Sequence, residues 1–236
     1  MLDRSRNNRQ ISLPRTGQPG QQNPASARPL YLLCGGGSRR MGRDKAMLPF
    51  GGGTLLEHQI EKCGDAFSEI VLLSGVRQYP VGLKHLPDAM EDAGPLSALL
   101  AALEDTASQY DPVALEDPSA RQLSVRSSDT LAVMAIDLPE IEPATLQYLA
   151  SMALPKGVDV LIAELEAHVG DKRDRQPLLG VYHRRVTSRL RNYLRDGHRS
   201  VLGFLGETRT ATFRVTENEI RNVNTKAEFD RLVNRQ

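Results

Sequence analysis

The sequence predicts an α/β fold built around a mostly parallel β-sheet. From residue 30 onwards, short apolar runs with the length of buried strands alternate with segments of helical periodicity. The 236-residue chain is 40% hydrophobic and 25% charged, which is an ordinary globular composition. No apolar run approaches the roughly 20 residues that cross a bilayer, so a membrane protein is not expected.

Strands are predicted where apolar runs are short and bounded by polar or turn-forming residues. In chain order they cover 30–34, 69–74, 83–86, 130–136, 158–163, 178–183, 211–215 and 220–223. The run over 130–136 has the strongest apolar character. Because helical segments separate many of these strands, a mostly parallel arrangement follows.

Helix starts are marked by capping residues and by proline. Thr54 and Glu57 have the spacing of a capping box, and so do Thr225 and Glu228 before the last predicted helix. Pro95 opens an apolar segment at a position that helices accept for proline. Besides the helices after the two capping boxes, helices are predicted over 95–103, from 143 and over 184–194.

The composition divides the chain into a tail and one domain. Residues 1–29 are rich in Gln, Asn, Pro, Gly, Ser and Arg and have too few apolar residues for a core, so they are predicted to be a disordered N-terminal tail. Residues 30–236 form the predicted domain. Ser, Asp, Pro and Arg interrupt the alternation over 106–129, which predicts a long surface insertion.

The charge distribution argues against nucleic acid as a partner. Residues 1–28 hold five arginines and one aspartate, whereas the whole chain has a net charge of only +1, so the remaining residues are mildly acidic. With 5% aromatic residues and no Trp, this body lacks the basic and base-stacking surface that nucleic acid requires.

The two cysteines, Cys34 and Cys63, are too few for a disulfide framework or a four-ligand zinc site. Cys34 ends an apolar run and Cys63 lies in a helical pattern, so both are expected to be buried free thiols. Free thiols, together with an N-terminus that has no apolar leader segment, predict a cytoplasmic protein.

The most informative stretch is LCGGGSRRMGRDK over residues 33–45, in which three glycines after a strand let backbone N–H groups approach an anion closely. Ser38 adds a hydroxyl donor. Positive charge comes from Arg39, Arg40 and Lys45, and the combination suits a nucleoside triphosphate. The stretch lacks the Gly-Lys-Ser/Thr ending of a P-loop and the third glycine of the dinucleotide fingerprint. A flexible basic turn between strand and helix is the alternative interpretation.

Asp137 follows the strongest predicted strand directly, and Leu138 and Pro139 end that strand. A carboxylate just beyond the carboxyl end of a parallel strand lies where α/β folds bind ligands. Its oxygens could hold Mg²⁺ against phosphates. The alternative is an aspartate that accepts hydrogen bonds from turn amides.

Taken together, these motifs and others further along the chain resemble those of a known family. The glycine loop is followed, in order, by Asp88, GPL at 94–96, DLP at 137–139 and NVNT at 222–225. This series, over about residues 30–235, resembles the molybdenum cofactor guanylyltransferases, a MobA-like nucleotidyltransferase family. The resemblance implies a Rossmann-like three-layer α/β/α fold. It also implies transfer of GMP from GTP to the terminal phosphate of molybdenum-bound molybdopterin, with release of pyrophosphate and assistance by Mg²⁺.

The resemblance also implies site residues. Lys45 would hold the GTP phosphates and Asp137 would bind Mg²⁺. The nucleotide would also be bound by Leu33, Cys34 and Gly35 through the backbone, and by Ser74 and Asp88 at two later strand ends. From the chemistry itself, which needs charge neutralisation at the phosphates, Arg40 is expected to be a second catalytic cation, and Gly36, Gly37 and Ser38 are expected to donate to the nucleotide.

The chain departs from the family pattern at several positions. Cys34 stands where Ala is usual, Ser74 stands where some members carry Asn, and Ser97 with Ala98 replaces a common Ala-Gly. The insertion over 106–129 is longer than the family norm. These departures concern packing and one nucleotide contact.

Two polar segments near the C-terminus are further candidates. Asn222 and Asn224 would face the same way from a strand and could bind a pterin or a phosphate, the alternative being a strand end that leads to a helix cap at Thr225. The segment 168–176 is either a substrate-facing flap or a solvated charge run.

The expected partners are GTP, molybdopterin or the molybdenum cofactor, and the molybdoenzymes or chaperones that receive the product, without nucleic acid or membrane. Two other interpretations stay open at this point. One is another nucleotidyltransferase, which would transfer CMP to the molybdenum cofactor or a nucleotide to a sugar phosphate. The other is a non-catalytic module that binds and delivers the cofactor.

Overall fold

The computed structural model describes residues 11–13, 27–35, 44–108, 129–165 and 174–221. Eight strands form one mixed sheet: β1 Ile11–Leu13, β2 Leu30–Leu33, β5 Ile70–Leu73, β6 Lys84–Leu86, β7 Thr130–Ala135, β8 Val160–Leu165, β9 Arg175–His183 and β10 Thr210–Val215. Two further strands, β3 Pro49–Phe50 and β4 Gly53–Thr54, form a separate hairpin.

The sheet is mostly parallel. Its strand order is β1-β10-β8-β9-β7-β2-β5-β6. β9 runs antiparallel to both of its neighbours, β7 and β8, and all the other pairs are parallel. The predicted α/β class with a mostly parallel sheet is therefore confirmed, and β9 is the exception to it.

Helices cover both faces of the sheet. They are α1 Leu55–Gly64, α2 Pro95–Ser108, α3 Pro143–Ser151, α4 Thr187–Arg195 and α5 Val201–Gly206. Apolar side chains of α1 and α3 belong to one buried cluster, and those of α2, α4 and α5 belong to a second cluster on the opposite face. These two clusters make the three layers α/β/α that the resemblance implies.

The start of α1 is fixed by its sequence. The Thr54 hydroxyl accepts a hydrogen bond from the Glu57 N–H at 3.2 Å, and Oε2 of Glu57 accepts one from the Thr54 N–H at 2.7 Å. This reciprocal pair satisfies N–H groups that a helix start otherwise leaves without partners. The capping box predicted at this position is confirmed.

The strand β9 depends on a glycine. A Cβ at Gly180 would lie 2.3 Å from the carbonyl oxygen of Leu161 in β8, so a side chain there would collide with backbone. The pairing of β8 with β9 also shifts register between Ile162 and Ala163. Gly180 thus allows the close approach that a β-branched residue of an ordinary strand would prevent.

The prediction that residues 1–29 form a disordered tail is wrong for two parts of that range. Ile11–Leu13 pair in parallel with β10 at the edge of the sheet. Arg28 is 5% exposed, its N–H donates to the Ala150 carbonyl at 3.2 Å, and its guanidinium donates to the Met152 carbonyl. The composition of residues 1–29 did not indicate these contacts, because three paired residues and one anchored arginine hardly change the average hydrophobicity of the segment.

The predicted start of the insertion, residue 106, is too early, because that residue still belongs to a helix. The helix α2 continues to Ser108, and Thr106 is 2% exposed, with its hydroxyl 2.9 Å from that of Tyr31 in the sheet. The Tyr31 hydroxyl also donates to Oδ2 of Asp105 at 3.0 Å, so polar side chains of the last turns contact the sheet and the helix extends beyond Leu103. At the other end of the insertion, Asp129 pairs with Arg184 at 2.6 Å. The residues 109–128 lie outside the described part.

The strand predicted over 220–223 is not present in its described residues. Ile220 lies in a turn, and Arg221 is outside regular structure. The buried carboxylate of Glu219 accepts from the N–H and the hydroxyl of Thr216 at 3.0 and 3.1 Å, which closes a local turn in place of a strand. The helix predicted after Thr225 and residues 168–173 of the polar segment fall outside the described residues. The rest of that polar segment includes the start of β9.

No helix in the described ranges is both long and apolar enough to span a membrane.

Several elements are additions to the predicted ones: β1, α5 and the hairpin of β3 and β4. In that hairpin, Gly51 and Gly52 have φ values of +59° and +87°. Two consecutive residues in this left-handed region are typical of a tight two-residue turn.

Candidate active site

Three strand ends lie side by side and carry the candidate site. β2 pairs in parallel with β5 and with β7, so Leu33 is opposite Leu73 on one side and Ala135 on the other. The chain leaves β2 into the glycine loop, β5 into Ser74, and β7 towards Asp137. Loops at the carboxyl edge of a parallel sheet are where α/β folds bind ligands.

Lys45 and Asp137 meet at this edge. Nζ of Lys45 is 3.1 Å from Oδ2 of Asp137, and the two side chains are 17% and 21% exposed. A pair this far shielded from water interacts more strongly than a fully exposed pair. The structure therefore places the predicted phosphate-binding cation next to the predicted metal-binding carboxylate.

A short 3-10 helix, Lys45–Met47, carries the lysine. Its N-cap is Asp44, whose Oδ1 accepts from the Ala46 N–H at 3.1 Å. The other oxygen, Oδ2, accepts from the Tyr79 hydroxyl at 3.0 Å and lies 3.5 Å from Nε of Arg77. Asp44 thus links the end of the glycine loop to the segment after β5. Sequence reasoning missed this link, since the two ends are 35 positions apart and no spacing signals it.

The first residues of the glycine loop are held close to β5. The N–H groups of Cys34 and Gly35 both donate to the Leu73 carbonyl at 3.1 Å. A Cβ at Gly35 would lie 3.4 Å from the backbone C and O atoms of Ser74, so the two strand ends are in van der Waals contact. Because both N–H groups are engaged, a nucleotide contact at these residues would use their carbonyl oxygens.

Neither of the two cysteine thiols is a reactive group of the site. Cys34 is 3% exposed, and Cys63 is fully buried in α1. Burial raises the pKa of the Cys34 thiol far above its ordinary value and that of Cys63 to about 12. Both are free cysteines, so the prediction of two buried free thiols is confirmed.

Ser74 and Asp88 lie next to each other across a glycine. Ser74 is 2% exposed, and among the described residues its hydroxyl has no hydrogen-bond partner. Gly75 has a φ of +60°, the left-handed region that favours glycine, and a Cβ there would be 3.4 Å from Oδ2 of Asp88. Partial burial raises the pKa of the Asp88 carboxyl. The two predicted nucleotide-binding residues therefore share one side of the site.

The carboxyl edge of the sheet brings these predicted site residues together: Leu33, Cys34, Gly35, Lys45, Ser74, Asp88 and Asp137. The others lie outside the residues that the structure describes: Gly36, Gly37, Ser38, Arg40, Asn222 and Asn224. The roles assigned to this second set stay predictions.

The site offers few protein ligands to a metal. Within the described ranges, no group of three or more His, Cys, Asp or Glu side chains could hold a metal ion. Mg²⁺ commonly takes one or two carboxylates and completes its coordination with water and substrate phosphates. Asp137 supplies one such carboxylate beside Lys45. This donor set fits Mg²⁺ that is held jointly with phosphates.

Known proteins resemble the chain in sequence and in fold. A protein of Pelotomaculum thermopropionicum, named a probable molybdenum cofactor guanylyltransferase, is 29% identical over 175 residues, which cover 73% of this chain and 72% of that protein. The solved structure of molybdopterin-guanine dinucleotide biosynthesis protein A from Archaeoglobus fulgidus has a TM-score of 0.63 at 21% identity, covering 87% of this chain and 97% of that chain.

The fold extends to enzymes of other specificity. The structure of 2-C-methyl-D-erythritol 4-phosphate cytidylyltransferase from Thermus thermophilus has a TM-score of 0.59 at 13% identity, covering 86% of this chain and 95% of that chain. At such identities the likeness shows the fold alone. The family model of the MobA-like NTP transferase domain matches residues 30–210, a span that contains both Lys45 and Asp137. The chain therefore belongs to the MobA-like NTP transferase family and is a nucleotidyltransferase.

Proposed function

We propose that the protein transfers GMP from GTP to the terminal phosphate of molybdenum-bound molybdopterin, forming the guanine dinucleotide form of the cofactor and pyrophosphate. The contact between Lys45 and Asp137 carries the proposal. It provides one cation and one carboxylate at the edge of the sheet, as a nucleotide with its metal requires. The names of the similar proteins support guanine as the base and molybdopterin as the acceptor.

The reaction depends on positioning and charge neutralisation, because a phosphate nucleophile is already ionised near neutral pH. An oxygen of the acceptor phosphate attacks the α-phosphorus of GTP. The bond from that phosphorus to the oxygen that bridges to the β-phosphorus breaks, and pyrophosphate leaves with the electron pair. No general base is needed for this step.

Lys45 and Asp137 would have different electrostatic roles at the phosphates. The Lys45 ammonium would donate to phosphate oxygens of GTP, with Arg40 and the amides of Gly36 and Gly37 as further donors. Asp137 would hold Mg²⁺, which supplies Lewis-acid neutralisation of the phosphate charge when bound. Because the two side chains already lie 3.1 Å apart, both are held at the site before a substrate enters, which lowers the reorganisation that binding requires.

Two residues on the other side of the site would select the base. The Asp88 carboxylate can accept from N1–H and from the 2-amino group of guanine, a pair of donors that cytosine and uracil lack. Ser74 offers a buried hydroxyl without a partner among the described residues. On the acceptor side, Asn222 and Asn224 would bind the pterin or its phosphate.

The product would be passed on to molybdoenzymes or to their chaperones. We place the reaction in the cytoplasm, because both cysteines are free and a reducing compartment keeps thiols in that state.

The competing activity is transfer of CMP to the molybdenum cofactor or to a sugar phosphate, and the likeness in fold to a cytidylyltransferase makes it the one to test. Pyrophosphate release is measured with each of GTP, CTP and UTP in the presence of Mg²⁺, first with molybdenum-bound molybdopterin and then with a sugar phosphate as the acceptor. Release that depends on both GTP and molybdopterin supports the proposal. Faster release with CTP, or with a sugar phosphate in place of molybdopterin, would reject it.

A further inference from the structure

We infer that Gln59 is a positioning residue for Asp137. From helix α1 it holds the peptide that precedes the aspartate, and so sets where the carboxylate stands at the edge of the sheet. The inference rests on the proposed function, because it takes Asp137 to act on a nucleotide and its metal.

Gln59 is a buried polar residue on the apolar side of α1. It is 0% exposed, and its Nε2 donates to the Ile136 carbonyl at 3.2 Å. Its other polar atom, Oε1, is buried and has no hydrogen-bond partner among the described residues. The side chain therefore makes one specific contact, and that contact is to the residue directly before Asp137.

The Ile136 carbonyl needs a donor from outside the sheet. The ladder between β7 and β2 ends with Ala135 opposite Leu33. The Ile136 N–H still reaches the Leu33 carbonyl at 3.1 Å, but β2 then leaves into the glycine loop and offers no further partner strand. A buried carbonyl without a donor is costly, and Gln59 supplies that donor from the helical layer.

A second side chain of α1 holds the other end of the same loop. Nζ of Lys62 donates to the Pro139 carbonyl at 2.7 Å. Gln59 and Lys62 are three positions apart, so they lie on one side of the helix. Between the two anchored carbonyls, Leu138 is 1% exposed and packs in the core. The loop is therefore tied to α1 on both sides of Asp137, which restricts where its carboxylate can lie relative to Lys45.

Packing alone does not account for a glutamine at this position. A leucine or methionine would fill similar space without burying an amide oxygen that lacks a partner. Cys63, one turn later and also 0% exposed, shows that the same side of α1 accepts a less polar residue. The hydrogen bond to Ile136 is what distinguishes Gln59 from its neighbours in the core.

The test compares full-length Gln59→Met with Cys63→Ala. Methionine keeps the length of the side chain and removes the donor, whereas Cys63→Ala removes volume from the same side of α1 and keeps the bond between Gln59 and Ile136. The measurements are the melting temperature, kcat and KM for GTP, and binding of Mn²⁺ in the presence of GTP by electron paramagnetic resonance.

We expect Gln59→Met to weaken Mn²⁺ binding and to lower kcat, each by about tenfold, as loss of a residue that orients a metal ligand commonly does. KM for GTP should change little. Cys63→Ala should lower the melting temperature and leave Mn²⁺ binding unchanged. If Gln59→Met does not fold, Gln59→Leu provides the test, because leucine also fills similar space and lacks the donor to the Ile136 carbonyl.

Wild-type Mn²⁺ affinity in Gln59→Met, or an equal loss in Cys63→Ala, overturns the inference. Where only Gln59→Leu can be purified, wild-type affinity in that variant overturns it as well. Asp137→Asn is measured in parallel. If that variant keeps both turnover and Mn²⁺ binding, the proposed role of Asp137 fails. If Asp137→Asn loses both while Gln59→Met behaves like Cys63→Ala, only the role of Gln59 fails.

Discussion

Nζ of Lys45 lies 3.1 Å from Oδ2 of Asp137, although the two residues are 92 positions apart in the chain. Each follows a different strand, and they meet because β2 and β7 pair in parallel and end at the same edge of the sheet. Both side chains are about one-fifth exposed, so they are within reach of a ligand and still partly shielded from water. The first prediction tests this pair.

Asp137→Asn should reduce turnover by roughly a hundredfold or more while the protein stays folded, because the amide cannot neutralise or hold a cation as the carboxylate does. Pyrophosphate release at saturating Mg²⁺ measures the effect, and a thermal melt checks the fold. Glu140→Gln is the matched control, since it removes a carboxylate from the same loop, where Glu140 pairs with Arg221 at 3.5 Å. Near wild-type turnover in Asp137→Asn would remove this residue from the mechanism.

Asp88→Ala should weaken GTP binding by roughly tenfold to a hundredfold and CTP binding much less, since hydrogen bonds to a charged acceptor are among the stronger ones. The preference for GTP should narrow accordingly. Isothermal titration with each nucleotide and Mg²⁺ measures both affinities. Glu91→Ala, which removes an exposed carboxylate from the same segment, should leave both affinities unchanged. Equal losses for the two nucleotides would mean that Asp88 does not read the base.

Asp159 should stabilise the fold in a manner that depends on pH. It is 3% exposed, and burial alone would raise the pKa of its carboxyl, but hydrogen bonds from Arg209 and Arg185 outweigh burial and lower the pKa to about 2. A pKa that is lower in the folded state gives stability that is complete above the ordinary value, about 3.9, and is lost as the pH falls towards 2.

Asp159→Asn should therefore lower the free energy of unfolding at pH 6 by about 1.5–3 kcal/mol, and the difference from wild type should shrink between about pH 4 and pH 2. Urea denaturation over this pH range measures it. Asp196→Asn removes an exposed carboxylate after α4 and should change the free energy of unfolding little at any pH in this range. A difference for Asp159→Asn that stays constant down to pH 2 would contradict the depressed pKa.

Deleting residues 1–28 should destabilise the protein. The deletion removes β1, the hydrogen bond from Arg28 to the Ala150 carbonyl, and the bond that the Arg28 carbonyl accepts from Ser68 at 3.2 Å. Each lost kcal/mol lowers the melting temperature by about 2–4 °C in a domain of this size. Deleting residues 1–10 leaves all of these contacts in place and serves as the control. Equal melting temperatures for the two deletions would show that these contacts add no net stability.

Features that depend on neighbours in the chain could be predicted from the residue types and their spacing alone. Thr54 and Glu57 are three positions apart, and their spacing alone specifies the capping box. The apolar run before Asp137 marks a buried strand, and its abrupt end places the aspartate at a strand terminus. The ordered series of motifs pointed to the family, which the match over residues 30–210 confirms.

Contacts between groups that are distant in the chain depend on how the strands and helices pack in three dimensions. Hydrophobic periodicity indicates that a side chain is buried, but it does not indicate which residues the side chain packs against. The hydrogen bond from Gln59 to Ile136, 77 positions away, therefore could not be predicted from the sequence. The antiparallel direction of β9 between β7 and β8, and the pairing of β1 with β10, likewise join segments that are far apart in the chain. The pairing of Lys45 with Asp137 belongs to this class, because the parallel sheet creates the edge at which they stand.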